Sequence, residues 1–285
     1  MNAPATVDLA VVILTRNEEA NLPRSLASVR GWAREVFVVD SGSTDATVEL
    51  AEQAGAVVVS HPFETHARQW DWALSALPIT ASWVLALDAD QRVSPELRAS
   101  MELALAPGAS DGIAGFYVNR RQVFRGRWIR HGGYYPKYLL KLFRRGTATL
   151  DPGDLVDHHF VVSGKVARLQ GDLIEENTNE GQIYEWVAKH NRYARLQARE
   201  ELAKLAASDP AERLLGHRDE RMRLAKRLWR RLPLYGRPFL YFGYRYFLRL
   251  GFLDGKEGLV FHFMQALWYR LLVDINRDEL TRQPE

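Results

Sequence analysis

Two carboxylates two residues apart, Asp88 and Asp90, stand at the end of a short apolar run, Trp83-Val84-Leu85-Ala86-Leu87. A run of that length and composition is the pattern of a strand buried on both faces. Residues two apart on an extended chain point to the same side, so both carboxylates face one way, with Ala89 between them. Hard divalent cations take oxygen ligands, and a magnesium-like ion usually keeps waters and bridges one or two carboxylates to phosphate. The same residues admit a plainer reading, a strand end ahead of a helix capped by Ser94 with Pro95 at its first position.

Two further polar loops follow apolar runs. Thr15-Arg16-Asn17-Glu18-Glu19 comes after Leu9 to Leu14, and Asp40-Ser41-Gly42-Ser43-Thr44-Asp45 comes after Glu35 to Val39. A carboxylate at a strand end can accept from a base or a ribose hydroxyl. The small Ser41-Gly42-Ser43 turn lets a flat ring approach, and a helix starting near Thr44 aims its first amides outward. Such a cleft suits a nucleotide whose diphosphate lies near Asp90. Turn chemistry and capping are the alternative for Asp40, Asp45, Asn17 and Glu18.

The elements that must position these loops alternate. Strands are expected at 9–14, 35–39, 56–60 and 83–87, and helices at 21–29, 46–54 and 65–77, with Gly55 closing the second helix. That order calls for a mostly parallel sheet with helices on both faces, whose loops gather at the carboxyl ends of the strands. A helix at 94–105 and strands at 115–119, 137–143 and 160–162 follow. The passage 120–136 reads as a polar, aromatic connection. A long helix at 182–205 comes next, and Asp209-Pro210 breaks it. The expected division is a catalytic domain over 1–208 and a helical, basic and aromatic extension over 209–285.

Composition bounds the rest. The chain has 285 residues, 47% hydrophobic and 26% charged, which is ordinary for a globular protein. It contains no cysteine, so disulfides and thiolate metal sites are excluded. The start shows no signal-peptide pattern and no apolar stretch is long enough to span a bilayer, so the expectation is a cytoplasmic protein, peripheral on the inner face of the membrane. The extension carries the grounds for that surface. A basic helix at 214–232 precedes Tyr235, Phe239, Tyr241, Phe242, Tyr244, Tyr246 and Phe247, interleaved with Arg237, Arg245 and Arg249. Snorkelling cations beside interfacial rings suit an anionic membrane. Packing on the catalytic domain or a dimer contact are the competing readings. Nucleic acid is disfavoured, because the net charge is only +3 and no nucleic-acid motif is present.

The ordered set Val11-Val12-Ile13-Leu14-Thr15-Arg16-Asn17-Glu18, Val38-Val39-Asp40-Ser41-Gly42-Ser43-Thr44-Asp45-Ala46-Thr47 and Leu87-Asp88-Ala89-Asp90 resembles family-2 glycosyltransferases of the GT-A fold over about residues 8 to 200. Within them it is most similar to bacterial enzymes of lipopolysaccharide-core and exopolysaccharide synthesis. The resemblance implies transfer of a sugar from a nucleotide-sugar with inversion, and a Mg or Mn ion. By position, Thr15, Asn17, Glu18, Asp40, Ser41, Ser43, Gln69, Asp88 and Ala89 would bind the donor, and Asp90 with Asp88 would hold the metal. His66 and Arg68 would flank the donor. The base on the acceptor hydroxyl would be Asp157, with His158 as runner-up and Asp154 a competitor. His131, Tyr134 and Arg144 would touch the acceptor, a lipid-linked glycan or a lipopolysaccharide core.

Two departures from the family qualify this. The Gln-x-x-Arg-Trp motif of its processive members is missing, since Gln122-Val123-Phe124-Arg125 runs into Gly126, so a single addition is expected. Gln91 also stands where relatives often carry an acid. The alternatives are a polyprenyl-phosphate sugar transferase of the same fold, or an inactive membrane-bound scaffold.

Overall fold

The computed structural model describes residues 6–151, 155–156, 159–206 and 228–282. They form two compact units, 1–182 and 183–285.

The first unit is built on β1 (Val7–Thr15), whose residues Leu9 to Ile13 have no solvent exposure. β1 pairs in parallel with β2 (Ala33–Asp40) on one side and β4 (Trp83–Asp88) on the other, and β2 pairs in parallel with β3 (Val57–Ser60). Alternation along β1 supplies both cores. Leu9, Val11 and Ile13 pack with Leu22, Leu26 and Val29 of α1 (Leu22–Val29), Ala51 of α2 (Thr47–Gln53), and Leu97 and Met101 of α4 (Pro95–Ala104). Ala10, Val12 and Leu14 pack on the opposite face with Trp70 and Ala73 of α3 (His66–Ala76). Each fully buried Val, Leu or Ile contributes about 2 kcal/mol.

Beyond β4 the sheet turns mixed, in the order β3-β2-β1-β4-β8-β6-β11-β5. β5 is Gln91–Val93, β6 Ile113–Phe124, β8 Tyr138–Arg144 and β11 Lys165–Glu176, with the short β7 (Arg127–Trp128) hairpinned onto β6. β9 (Ala148–Leu150) and β10 (Phe160–Val162) form a separate ribbon. The sheet with helices on both faces agrees with the expected class. Some details differ. The passage expected to be a connection from 120 continues β6 to Phe124, and the short β5, β7 and β9 and the twelve-residue β11 were not foreseen.

Helix starts follow local chemistry. Ser94 Oγ accepts from the Leu97 amide at 3.2 Å with Pro95 behind it, and Thr65 does the same for Arg68 at 3.2 Å. Gly55, at φ 81°, closes α2 as expected. Asn21 precedes α1 but makes no side-chain cap.

The second unit is helical. It holds α5 (Ile183–Ala206), α6 (Arg237–Gly243) continued by a π-helical stretch Tyr244–Leu248, a turn ending in the 3-10 segment Gly251–Asp254, and α7 (Gly255–His262). A second π-helical stretch, Phe263–Trp268, leads into α8 (Tyr269–Arg282). The boundary between the two compact units falls before α5. The long helix packs along α8 and shares a buried ion cluster with it. Arg237 lies at the centre of that cluster. Its Nε donates to Asp274 at 2.7 Å, and one terminal nitrogen donates to Glu201 of α5 at 2.8 Å.

Two substitutions test these contacts. Gly171 sits at φ 85° in β11, and a Cβ there would come within 2.2 Å of the Leu97 amide nitrogen. Gly171→Ala is expected to cost about 3 kcal/mol, from overpacking plus a left-handed backbone, read by urea unfolding. Arg237→Met leaves Asp274 and Glu201 buried without their main cation. It is expected to cost about 3–5 kcal/mol in the same assay.

Candidate active site

Register sets the site. Thr15 lies opposite Asp40, Leu14 opposite Asp88, and Asp40 opposite Ser60. Parallel neighbours end on the same edge, so Asp40 and Asp88 flank the end of β1, about 10 Å apart by two strand spacings.

The first two loops are tied to each other. The Asn17 amide donates to Ser43 Oγ at 2.8 Å, and Asn17 Oδ1 accepts from the Thr44 amide at 2.8 Å. Asn17 holds a left-handed φ of 55°, a conformation asparagine tolerates. The Glu18 amide donates to Thr47 Oγ1 at 2.7 Å. Asp40 is buried, and its Oδ2 accepts from the Gly42 and Ser43 amides at 2.9 Å each. Its Oδ1 accepts from Ser43 Oγ and from Thr15 Oγ1. A carboxylate offers about four lone-pair sites, and all four are met inside the protein. Asp40 thus shapes its own loop, the chemistry of a turn. Gln69 is buried behind that loop. Its Nε2 donates to Ser41 Oγ at 3.1 Å and to the His61 carbonyl at 3.2 Å, so it steadies the loops after β2 and β3. Arg68 is exposed and pairs with Glu64.

Around the third loop the partners come from the far half of the sheet. Asp88 Oδ2 lies 3.0 Å from Lys141 Nζ, and Lys141 is buried on β8. The Asp88 amide donates to Gln91 Oε1 at 3.2 Å, while Gln91 Nε2 donates to Glu175 at 2.8 Å. Gln91 thereby fixes the turn that follows the two carboxylates. Ala89 is buried. Asp90 Oδ2 accepts from Asn177 Nδ2 at 3.2 Å.

Asn177 belongs to a polar run, Glu175 to Glu180, at the end of β11 that joins the first and third loops. Asn21 Nδ2 donates to Asn177 Oδ1 at 3.1 Å and to Glu18 Oε2 at 2.7 Å. Asn179 Nδ2 donates to the Asn17 carbonyl at 3.1 Å. Glu176 takes ion pairs from Arg24 at 3.1 Å and Arg92 at 2.7 Å. Asn21 makes no helix cap because its Oδ1, the atom that would cap, accepts instead from the Thr178 amide at 2.8 Å and from Arg24 at 2.9 Å.

His131 and Tyr134 lie in the loop before β8. That loop is on the Asp88 edge, because β8 runs antiparallel to β4. Asp172, buried on β11, secures the region by accepting from Asn119 at 2.8 Å, Arg121 at 2.6 Å and the Tyr135 hydroxyl at 3.1 Å. Burial, with the Asp172 carboxylate next, raises the Tyr135 pKa above its ordinary value. Arg144 is elsewhere. It pairs in register with Trp83, at the amino end of β4, about 16 Å along the strand from Asp88. Its guanidinium donates to the Ile113 carbonyl at 2.8 Å and lies over the Trp83 ring, so the structure does not bring it to the other site residues. Asp154, Asp157 and His158 lie outside the described residues.

Sequence reasoning missed Lys141, Asn21, Asn177, Gln91's two contacts and Asp172. Lys141 left one signal, a single cation inside the apolar run Leu139-Leu140-Lys141-Leu142-Phe143. Among the described residues no group of three or more His, Asp or Glu converges as a metal cage.

Asp45 gives a pH test of the loop. Burial opposes its charge, but hydrogen bonds from the Thr47 hydroxyl and amide and from the Glu19 amide outweigh that and hold its pKa below the ordinary value of 3.8. A depressed carboxyl adds stability above the unfolded pKa and loses it as pH falls through the native one. Asp45→Asn is expected to unfold at lower urea than the parent at pH 7, and the gap is expected to close as the pH is taken below 3.8.

Comparison with known proteins follows the same outline. The model of Glycosyl transferase family 2 matches residues 10–166, more than half of the chain. The lipopolysaccharide core biosynthesis glycosyltransferase LpsC of Rhizobium meliloti is 32% identical over 201 residues, 67% of this chain and 70% of LpsC. An uncharacterized glycosyltransferase of Rickettsia conorii is 36% identical over 118 residues, and the match spans only 41% of that relative's length and 41% of this chain. The mannosyltransferase PcManGT from Pyrobaculum calidifontis, solved in complex with GDP-Man and Mn2+, aligns over 97% of this chain and 88% of its own with a TM-score of 0.50 at 16% identity, a likeness of fold. With the family match over the sheet that carries all three loops, the chain belongs to glycosyl transferase family 2 and has a GT-A-like fold.

Proposed function

We propose that the protein transfers one sugar from a nucleotide-sugar, with inversion, to a lipid-linked or lipopolysaccharide-core acceptor at an anionic membrane surface. The observation that carries this reading is the meeting of the loops after β1, β2 and β4 on one sheet edge, with Asp40 and Asp88 on either side of Thr15. Ligands of open α/β sheets bind at that edge. The likeness to LpsC supports the acceptor class.

In this reading the nucleoside lies across Thr15, Asn17, Glu18 and the Ser41-Gly42-Ser43 turn that Asp40 holds open. Gln69 keeps Ser41 in place from behind. Asp90, with Asp88 beside it, would hold a divalent Mg or Mn ion, which when bound neutralises charge on the diphosphate. Two carboxylates on one edge suit a cation that completes its shell with phosphate and water. Lys141 fixes the Asp88 side chain. His131 and Tyr134, on the same edge, would meet the acceptor. Asp157 takes the proton of the acceptor hydroxyl as that oxygen bonds to the anomeric carbon and the nucleoside diphosphate leaves with the electrons of the broken bond. His158 is the alternative base.

The test is thermal unfolding with a panel of nucleoside diphosphates, each with and without manganese. At a hundredfold excess over Kd, a native-state ligand adds about 2.7 kcal/mol, which is a rise of several degrees for a chain of this size. The expected result is a rise with one base, dependent on manganese and lost in Asp90→Ala. No rise with any of them overturns the nucleotide-sugar reading. Asp157→Asn is expected to keep that rise while sugar transfer falls by ~10²-fold or more. Full turnover in Asp157→Asn would move the base elsewhere.

A further inference from the structure

In the helical hairpin of the second unit the usual partition of residues is reversed. Between Arg237 and His262, Arg237, Asp254 and His262 are each at most 2% exposed, whereas Phe239 is 58%, Leu240 67%, Phe247 59% and Leu248 75% exposed. The turn between the two arms continues the pattern. Phe252 and Leu253 are both exposed there, in a place where water-facing turns are ordinarily polar. Isolated surface leucines need no explanation, but a contiguous apolar tip does.

The turn is also closed in its backbone. The Arg249 amide donates to Tyr244 at 2.9 Å, Leu250 to Phe247 at 3.2 Å and Leu253 to Leu250 at 3.0 Å. Hydrogen bonding met inside the chain is what a non-aqueous surrounding demands. Glycines keep the tip narrow. A Cβ on Gly251 would lie 2.5 Å from His262 Nε2, and one on Gly258 would lie 2.5 Å from Asp254 Cβ. Charge is one-sided, since residues 228–263 carry the bases Arg230, Arg231, Arg237, Arg245, Arg249 and Lys256 against the acids Asp254 and Glu257. Of these, Asp254 is buried while Arg231, Arg249 and Lys256 are exposed.

We propose that this hairpin is a membrane-insertion element, with the tip around residues 247–253 entering the acyl layer of one leaflet and its exposed cations meeting anionic headgroups. The proposal rests on the membrane partner named in the reading above and makes it specific. The arm 237–248 is about 18 Å long, close to the ~15 Å of one leaflet's hydrocarbon. No described helix is long and apolar enough to cross the bilayer, so the element enters and returns on one side. A second copy of the chain fits the surface less well. Arg249 lies between Leu248 and Leu250, and a symmetric contact through the tip would bring two such guanidiniums together in a core that interfaces keep free of charge. In a leaflet the same side chain reaches back to the headgroups.

The absence of cysteine allows a single label. Leu248→Cys, carrying an environment-sensitive dye, is mixed at low salt with vesicles containing phosphatidylglycerol, with nitroxide-labelled acyl chains as quencher. Leu103→Cys on α4, 75% exposed, is the control. The expected result is a blue shift and quenching at 248 and neither at 103. Phe247→Glu with Leu248→Glu is expected to lower the vesicle-bound fraction at least tenfold, with the melting temperature and the donor-dependent rise unchanged. Vesicle binding without a shift at 248 overturns insertion and leaves the membrane partner standing. No binding overturns both, while a persisting donor-dependent rise keeps the sugar-transfer reading. A dimer that shields position 248 without lipid assigns the surface to a second copy and overturns the proposal.

Discussion

The parallel pairing of β1 between β2 and β4 is the constraint on which the first unit depends. Residues Leu9 to Ile13 are fully buried, three feeding one core and two the other. A slip of one residue would exchange the faces, sending Val11 and Ile13 towards α3 and Ala10 and Val12 towards α1. The volumes do not match, so the register is fixed. Once it is, Thr15, Asp40 and Asp88 have no freedom to end anywhere but together. The site edge is thus a consequence of packing several residues behind it.

Packing alone would leave three long polar loops to move independently, and the structure removes that freedom with amide and carboxylate contacts. Asn17 and Thr47 tie the first loop to the second. Asn21 and Asn177 tie the first to the third through Glu18 and Asp90. Asparagine suits these junctions because one side chain both donates and accepts without adding charge. A neutral bracket around two carboxylates leaves their charge in place while holding their geometry, and held geometry is what a reacting pair of substrates requires.

Apart from the three-residue β5, the strands and helices up to residue 105 were legible because each is a short apolar run or a helical repeat. The same local logic identified Ser94 and Gly55 as punctuation. It failed where a contact depends on a distant strand. β11 reads Lys-Val-Ala-Arg-Leu-Gln-Gly-Asp-Leu-Ile-Glu-Glu, with glycine and charges throughout, and becomes a strand because β6 and β5 pair with both its edges. Lys141 becomes a partner of Asp88 only through the antiparallel register of β8 on β4. That register also carries Arg144 to the opposite edge, away from the residues it was grouped with. For Asp40 the sequence held two readings, ligand contact and turn chemistry, and only the four donors around its oxygens show how much of its capacity the loop itself takes.

The hairpin of the second unit departs from the burial rule that the first unit follows. In the first, apolar strands are enclosed and carboxylates stand at the rim, as water imposes. In the hairpin of the second, an arginine, an aspartate and a histidine are enclosed while several phenylalanines and leucines face outward. Average hydropathy cannot register this reversal, because it does not depend on which residues are buried. Nor does a search for spanning helices register it, since the apolar positions are broken into short arms by Arg237, Arg245, Arg249 and Asp254. Arg249 is exposed, with a long stem that covers apolar surface while the charge reaches a polar layer, whereas Arg237 is withdrawn into its ion cluster and Asp254 into the turn. A lipid-borne acceptor and a water-borne donor would impose both patterns on one chain.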